Sequence, residues 1–307
     1  MLKTHNDPAI ADAVRLLDAH PDFRVISRIT PRKAFAENDG RALSKGIVVD
    51  TETTGLNPDT DAIIELGMVL FEFDPETGSA YRILGSFSQL EYPGFPIPPE
   101  STAVHGITDE MVAGTRIDDA KVERFLDGVS LIIAHHSKFD RIFLEKRLPI
   151  FELLPWGCSL AQVDWNGEGI WSAKLDYIAY QYGFFFEEHR AENDCFALLE
   201  VLQQQLPKSG ELVLKAILNS LGQKSHTVYA TDSPFETKDT LKSRGYRWDG
   251  EKKCWHTTVS GEDAVNEELG WLKTNVYSGQ KAKIEIEEQS CLTRFSNRIG
   301  NRVLREI

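Results

Sequence analysis

The chain has 307 residues, of which 41% are hydrophobic and 26% charged, values typical of a globular protein. At about 150 residues per domain, this length suggests two domains and excludes a small disulfide-stabilised fold. The longest apolar runs are far too short to cross a bilayer. Acidic residues interrupt the first twenty positions, so a secretory signal is not expected there. We expect a cytoplasmic protein without a membrane partner.

The net charge of −13 argues against a broad basic surface of the kind that binds nucleic acid non-specifically. The charge is uneven, because residues 1–220 carry −14, residues 221–260 carry +2 and residues 261–307 carry −1. Within the acidic part, 51–100 and 151–200 contain nine acidic residues each. Some of these carboxylates are expected to have a role beyond solubility.

The first 45 residues predict a helix followed by a polar connector. Asp7 suits an N-cap and Pro8 suits the first helical position, so a helix is expected over about 8–20. Residues 23–29 alternate as a short strand does, and 30–45 are polar with proline and glycine.

The main domain is expected over 46–222, where strand and helix signals follow one another. Strands are predicted at 46–51, 63–73, 81–90, 129–134 and about 156–160. Helices are predicted near 117–127, 138–147, 173–182, 190–205 and 211–221. Hairpin-linked strands followed by β/α units predict an α/β fold with a mixed sheet flanked by helices.

After residue 222 the pattern indicates a small α+β module over 224–290, followed by a C-terminal tail over 291–307. A strand at 227–230, a helix at 234–243, a hairpin over 246–259 and a helix near 261–275 are expected. Basic residues alternate here with Tyr246, Trp248 and Trp255, a composition that can bind single-stranded nucleic acid. The alternative is that the two tryptophans form a cross-strand pair in the module's core.

Carboxylates stand at the ends of several predicted elements. Asp50 and Glu52 lie two residues apart at the end of the most buried strand, so they point to the same side. Carboxylates held side by side favour a hard divalent cation such as Mg²⁺. Asp140 begins a later helix, and His189 and Asp194 flank the start of another. Four carboxylates and a titratable histidine are the groups that metal-dependent phosphodiester hydrolysis requires.

These segments resemble the motifs of the DnaQ-like (DEDDh) 3′→5′ exonuclease family, which includes proofreading epsilon subunits. The resemblance covers about 46–205 and is carried by IVVDTETTG, HGIT, AHHSKFD and HRAENDCFALL. The family implies a ribonuclease H-like fold with a mixed five-stranded sheet. It also implies two Mg²⁺ or Mn²⁺ ions, one on Asp50, Glu52 and Asp194 and one on Asp50 and Asp140, with His189 as the general base.

The same resemblance suggests which residues contact the substrate. They follow the acidic pair of the first motif or are histidines of the second and third motifs: Thr53, Thr54, Gly55, Leu56, His105 and His135. The family usually has His-Asn where this chain has His135 and His136. Glu65 could be a buried acid near the metals, but a solvent-side position in its alternating strand is the preferred prediction. Arg190 is expected on the surface, with contact to the phosphate as the alternative.

The carboxylate and histidine set, together with the resemblance, implies a metal-dependent 3′→5′ exonuclease that releases nucleoside 5′-monophosphates, with the 3′ ends of single-stranded DNA as substrate. Trimming of RNA or oligoribonucleotides is an alternative with the same chemistry. A third hypothesis is a non-catalytic accessory protein that binds a DNA polymerase or repair partner. Because histidine has an ordinary pKa of about 6.5, activity is expected to fall in acid.

Overall fold

The computed structural model describes residues 8–307, so the expected N-cap at Asp7 lies outside the described residues. The chain divides into two compact units, one up to Leu218 and one from Asn219 onward. Each unit contains a five-stranded sheet. Within 8–307, no helix is both long and apolar enough to cross a membrane.

The first unit is built on a mixed sheet. A two-residue strand, β1 (Ser27–Arg28), precedes the five strands of this sheet, which are β2 (Ser44–Thr53), β3 (Ile63–Phe73), β4 (Ala80–Leu90), β5 (Val129–Ala134) and β6 (Trp156–Cys158). Their order is β4-β3-β2-β5-β6. The β4/β3 and β3/β2 pairs are antiparallel, whereas β2/β5 and β5/β6 are parallel. The predicted mixed five-stranded sheet is confirmed.

Helices follow the strands of the first unit in the order that the sequence predicts. They are α1 (Pro8–Asp18), α2 (Pro99–His105), α3 (Asp109–Val112), α4 (Asp119–Phe125), α5 (Ser137–Arg147), α6 (Leu175–Gln181) and α7 (Ala191–Leu202), with a 3₁₀ turn at Pro149–Leu153. The next helix, α8 (Val213–Leu221), begins in the first unit and ends three residues into the second. A further short strand, β7 (Phe184–Phe185), pairs in parallel with β1. The strand expected over 23–29 is thus reduced to two residues.

The core of this unit lies where α7 packs across β2 and β3. Ile47, Val48 and Val49 in the middle of β2 are fully buried. The first seven residues of β3 are also all buried, so both faces of this strand are covered instead of one. The prediction that one face of β3 is exposed is therefore wrong. α7 packs on this strand, and neither face of its first seven residues is open to solvent.

The second unit has an antiparallel sheet of its own. Its strands are β8 (Ser225–Ala230), β9 (Arg247–Asp249), β10 (Cys254–Ser260), β11 (Lys283–Gln289) and β12 (Asn301–Glu306), in the order β12-β11-β8-β10-β9. A 3₁₀ turn (Phe235–Thr237), α9 (Lys238–Ser243) and α10 (Glu262–Asn275) complete it. Trp255 packs against the core, while Trp248, its cross-strand partner on β9, stays half-exposed.

Two strands of this sheet were not anticipated from the sequence. The segment 291–307, expected to be a tail, contributes the edge strand β12. The pattern of β11 is short, with only Ile284 and Ile286 as its apolar positions. Five of the six residues of β12 are exposed and three are charged, so the strand carries no burial signal. Pairing with β11, which depends on backbone hydrogen bonds, defines β12 instead.

Candidate active site

Three carboxylates meet at the carboxyl end of β2. Asp50 and Glu52 are among the last four residues of that strand, and Asp194 lies in the first turn of α7. One oxygen from each residue can be chosen so that all three lie within 4.8 Å of one another. Carboxylate oxygens at this spacing could hold a divalent metal ion.

A close contact between a strand and a helix start makes this convergence possible. Gly67 of β3 faces the first residues of α7, and a Cβ at this position would lie 2.3 Å from the carbonyl carbon of Ala191. Gly67 also pairs with Asp50 on the neighbouring strand. The absence of a side chain at Gly67 therefore lets α7 begin next to the acidic end of β2.

The electrostatics of the cluster indicate carboxylates in need of a cation. Burial, reinforced by the neighbouring carboxylates, raises the pKa of Asp50 well above its ordinary value. The same causes raise the pKa of Glu52 to about 8, and burial raises the pKa of Asp194 to about 7. A bound divalent cation would favour the ionised forms and offset this repulsion. The donor set therefore fits a hard metal ion.

Asp140, the fourth predicted carboxylate, lies beside this cluster but outside the group of three. It is buried in the first turn of α5, where its Oδ1 accepts hydrogen bonds from Thr51. The Thr51 backbone nitrogen is 3.1 Å away and the hydroxyl oxygen 2.9 Å away. Burial raises the pKa of Asp140 to about 7, against the opposing effect of these hydrogen bonds.

His189 lies in the loop immediately before α7. Its backbone has a φ of 63°, a left-handed conformation that is uncommon for residues other than glycine. About half of its side chain is exposed, and its Nε2 is 3.9 Å from a carboxylate oxygen of Glu188. The unusual backbone conformation must be held by the surrounding contacts.

Glu65 and Arg190 provide such contacts, and Arg190 lies on the surface as expected. Glu65 is only 1% exposed, although the strand pattern predicted a solvent-side position. Arg190 donates from Nε to Oε2 at 3.2 Å and from a terminal nitrogen to Oε1 at 2.9 Å. The backbone nitrogen of Ala191 also donates to Glu65, at 3.2 Å. The two residues that follow His189 are thereby hydrogen-bonded to β3.

The residues after Glu52 form a tight turn with one exposed apolar side chain. Thr53 donates from its hydroxyl to the Gly55 carbonyl at 2.7 Å, and the Thr54 hydroxyl accepts from the Ala62 backbone nitrogen at 3.0 Å. Leu56 is 83% exposed. The threonine hydroxyls are therefore used within the turn, whereas Leu56 is available for contact.

The two predicted substrate-binding histidines differ in their hydrogen bonds. His135 uses both ring nitrogens, one with the Ser159 hydroxyl and one with the Ala173 carbonyl, each at 2.8 Å. Burial lowers the pKa of His135 to about 4. His105 accepts from the Ile107 backbone nitrogen at Nδ1, at 3.0 Å, while its buried Nε2 has no partner among the described residues. His135 is thus held by the protein, and His105 keeps a donor free.

The mixed sheet and its acidic edge define an α/β protein with a potential divalent-metal site. The chain belongs to the exonuclease (RNase T) family, whose model matches residues 47–202. This confirms the resemblance to DnaQ-like exonucleases and identifies the domain as that of a nuclease hydrolase. The family is metal-dependent, in agreement with the acidic cluster.

Similar proteins include DNA polymerase III subunits. The epsilon subunit of Treponema pallidum is 32% identical over 162 residues, which are 50% of this chain and 72% of that protein. The PolC-type DNA polymerase III of Clostridium perfringens is 31% identical over 54% of this chain but only 11% of its own length. A solved structure of exonuclease X in complex with 5′ overhanging duplex DNA is 25% identical, with a TM-score of 0.40. The alignment covers 58% of this chain and 93% of that one.

Proposed function

We propose that the protein is a 3′→5′ exonuclease of the DEDDh type that hydrolyses the terminal phosphodiester bond of single-stranded DNA. The observation that carries this proposal is the convergence of Asp50, Glu52 and Asp194 within an exonuclease-family domain. DNA is preferred over RNA because the relative in Treponema pallidum is a DNA polymerase subunit.

Two divalent ions fit this proposal. Asp50, Glu52 and Asp194 would hold one ion, and Asp50 with Asp140 would hold the other. Bound Mg²⁺ or Mn²⁺ would neutralise the carboxylates and stabilise negative charge on the scissile phosphate. The hydrogen bonds from Thr51 keep one oxygen of Asp140 fixed and leave its other oxygen for such a ligand.

His189 would act as the general base. Its half-exposed ring at the start of α7 can reach a water molecule that attacks the phosphorus. The imidazole would accept the proton of that water, and the departing 3′ oxygen of the shortened strand would take a proton from solvent. Because the base must be neutral, the rate is expected to fall in acid, and a flat rate between pH 5.5 and 8.5 would contradict this role.

The 3′-terminal nucleotide would bind between the turn after β2 and α2. Leu56 offers an exposed apolar side chain that can pack against the terminal base. His105 offers the unpartnered Nε2 as a hydrogen-bond donor to a sugar or phosphate oxygen. A buried donor without a partner is costly, so a bound substrate that accepts this hydrogen bond would gain affinity.

The test is a digestion of 5′-labelled single-stranded DNA, duplex DNA and RNA with Mg²⁺. We expect a ladder of labelled products that shorten from the 3′ end, formed fastest from single-stranded DNA. Asp194→Asn should abolish the ladder, whereas Asp176→Asn, an exposed carboxylate of α6, should not. Release of labelled mononucleotide as the first product would contradict the polarity. Full-length DNA in every lane would contradict the activity and favour an accessory role.

A further inference from the structure

A basic segment lies near the start of the first unit. Residues 23–45 contain six basic and two acidic residues, whereas residues 1–218 together have a net charge of −14. Arg41 forms ion pairs with Asp39 and Asp74, and Lys45 donates to a backbone carbonyl. The remaining arginines, Arg24, Arg28 and Arg32, recur every fourth residue and are all exposed.

These three arginines line a groove within the first unit. Its other walls come from the end of α6, from β7 and from one side of α7, and its volume is about 780 Å³. The parallel pairing of β1 with β7 places Arg28 opposite Phe185. The groove therefore brings the basic segment next to the chain that leads to the active site.

Arg32 is paired with Glu200, so Arg24 and Arg28 determine what the groove can bind. Arg24 donates to the carbonyls of Tyr180 and Gln181, both at 2.7 Å, and has no carboxylate partner in the described part of the chain. Arg28 pairs with Glu187, but these side chains are 58% and 69% exposed. Ion pairs this exposed contribute about 0–1 kcal/mol, so a phosphate can displace the carboxylate. Both guanidinium groups are thus available to an anion.

Aromatic side chains accompany both arginines. The Arg24 guanidinium lies 4.4 Å from the centre of the Tyr180 ring, and that of Arg28 lies 5.3 Å from the Phe185 ring. The two aromatic residues remain 42% and 39% exposed. Basic groups that track a backbone, combined with exposed rings on which bases stack, are typical of sites for single-stranded nucleic acid.

The groove lies close along the chain to the loop that carries His189. β7 ends at Phe185, four residues before His189, which is at most about 13 Å along an extended chain. Glu187 joins the two features, because its carboxylate pairs with Arg28 and its carbonyl accepts from Asn193 Nδ2 at 3.2 Å. Asn193 precedes Asp194 in the first turn of α7.

We propose that this groove, lined by Arg24 and Arg28, binds the phosphodiester backbone of the single strand on the 5′ side of the scissile bond. The inference rests on the proposed exonuclease function. The groove would supply the phosphate contacts to a longer strand that the acidic active site lacks. Affinity should therefore depend on strand length and on salt, because each phosphate contact in a single strand changes the logarithmic salt dependence by about 0.7.

The test compares a short and a long substrate. The short one is the p-nitrophenyl ester of thymidine 5′-monophosphate, which fills only the active site, and the long one is a 15-residue oligothymidylate. In the Arg24→Gln/Arg28→Gln double variant, KM for the 15-mer should rise about tenfold, which is about 1.4 kcal/mol. Hydrolysis of the ester should stay unchanged. The control is Arg124→Gln, an exposed arginine of α4 outside the groove, which should behave as wild type.

A second variant changes affinity in the opposite direction. Glu187→Gln removes the carboxylate that competes for Arg28, so anisotropy with labelled 15-mer should show tighter binding. Equal losses on both substrates in the double variant would overturn the proposal, as would unchanged KM for the 15-mer. If wild type cleaved neither substrate, the exonuclease function would fail, whereas weaker anisotropy binding by the double variant would still support the groove.

Discussion

Substitution of Glu52 by glutamine should stabilise the metal-free protein. Burial and the surrounding carboxylates raise the pKa of Glu52 to about 8 from an ordinary 4.5, so the folded chain holds this proton more tightly than the unfolded chain does. The stability from the protonated form is therefore present in acid and is lost as the pH rises from about 4.5 to about 8. Glutamine is neutral at every pH and avoids this loss.

The size of the effect follows from the pKa difference. One pKa unit corresponds to about 1.4 kcal/mol, which gives an upper limit of about 4 kcal/mol at pH 8. Water access and relaxation of the site should reduce the gain in unfolding free energy to about 2 kcal/mol. For a unit of this size, the melting temperature should rise by about 4–8 °C.

The assay is thermal unfolding in EDTA at pH 5 and pH 8, with and without later addition of Mg²⁺. Glu52→Gln should melt above wild type at pH 8, and the difference should shrink at pH 5. Mg²⁺ should raise the melting temperature of wild type more than that of the variant, because binding stabilises only the intact site. Glu123→Gln, on an exposed face of α4, should match wild type. A metal-free variant that melts at or below the wild-type temperature at pH 8 would refute this reasoning.

Three further outcomes follow from the same site. Gly67→Ala should lower the free energy of unfolding by more than about 2 kcal/mol in urea titrations, because its Cβ would overlap the backbone at the start of α7. Gly85→Ala, where the Cβ would meet a ring atom at an ordinary 3.5 Å, is the matched control, and equal losses would contradict the close contact. Glu65→Gln should reduce kcat about tenfold or more with KM changed less than about twofold, because a weaker bond to Arg190 frees the loop of His189. A change confined to KM would rule out this positioning role. Calorimetry should show Mg²⁺ affinity rising at least about tenfold from pH 6 to pH 8, since carboxyls with pKa values of about 7 and about 8 must lose protons, and a constant affinity would count against the cluster as the metal site.

The mixed sheet and the acidic cluster could be predicted because their signals are local. The apolar run before Asp50 predicts a buried strand, and a helix start close to Asp194 is visible in the sequence. Parallel strands and a helix on the sheet then bring the two carboxylates to one edge.

Other features could not be predicted because they depend on contacts between distant segments. Glu65 stands in an alternating strand, and only the packing of α7 shows that both faces of this strand are covered. Likewise, the sequence does not show that His135 forms hydrogen bonds with Ser159 and Ala173, which are brought to it by the fold. β12 has almost no apolar pattern, and it forms a strand because its backbone pairs with the edge of β11.

The metal cluster joins residues that are far apart in the chain. Asp50 and Glu52 are synthesised early and Asp194 much later, with the intervening segment forming the four other strands of the same sheet. Closing such a long loop is entropically costly, so the three carboxylates come together only when nearly the whole unit has folded. A growing chain on the ribosome therefore carries no complete cluster until α7 has emerged. Cleavage of nucleic acid by an unfinished or partly unfolded chain is prevented by the order of folding itself.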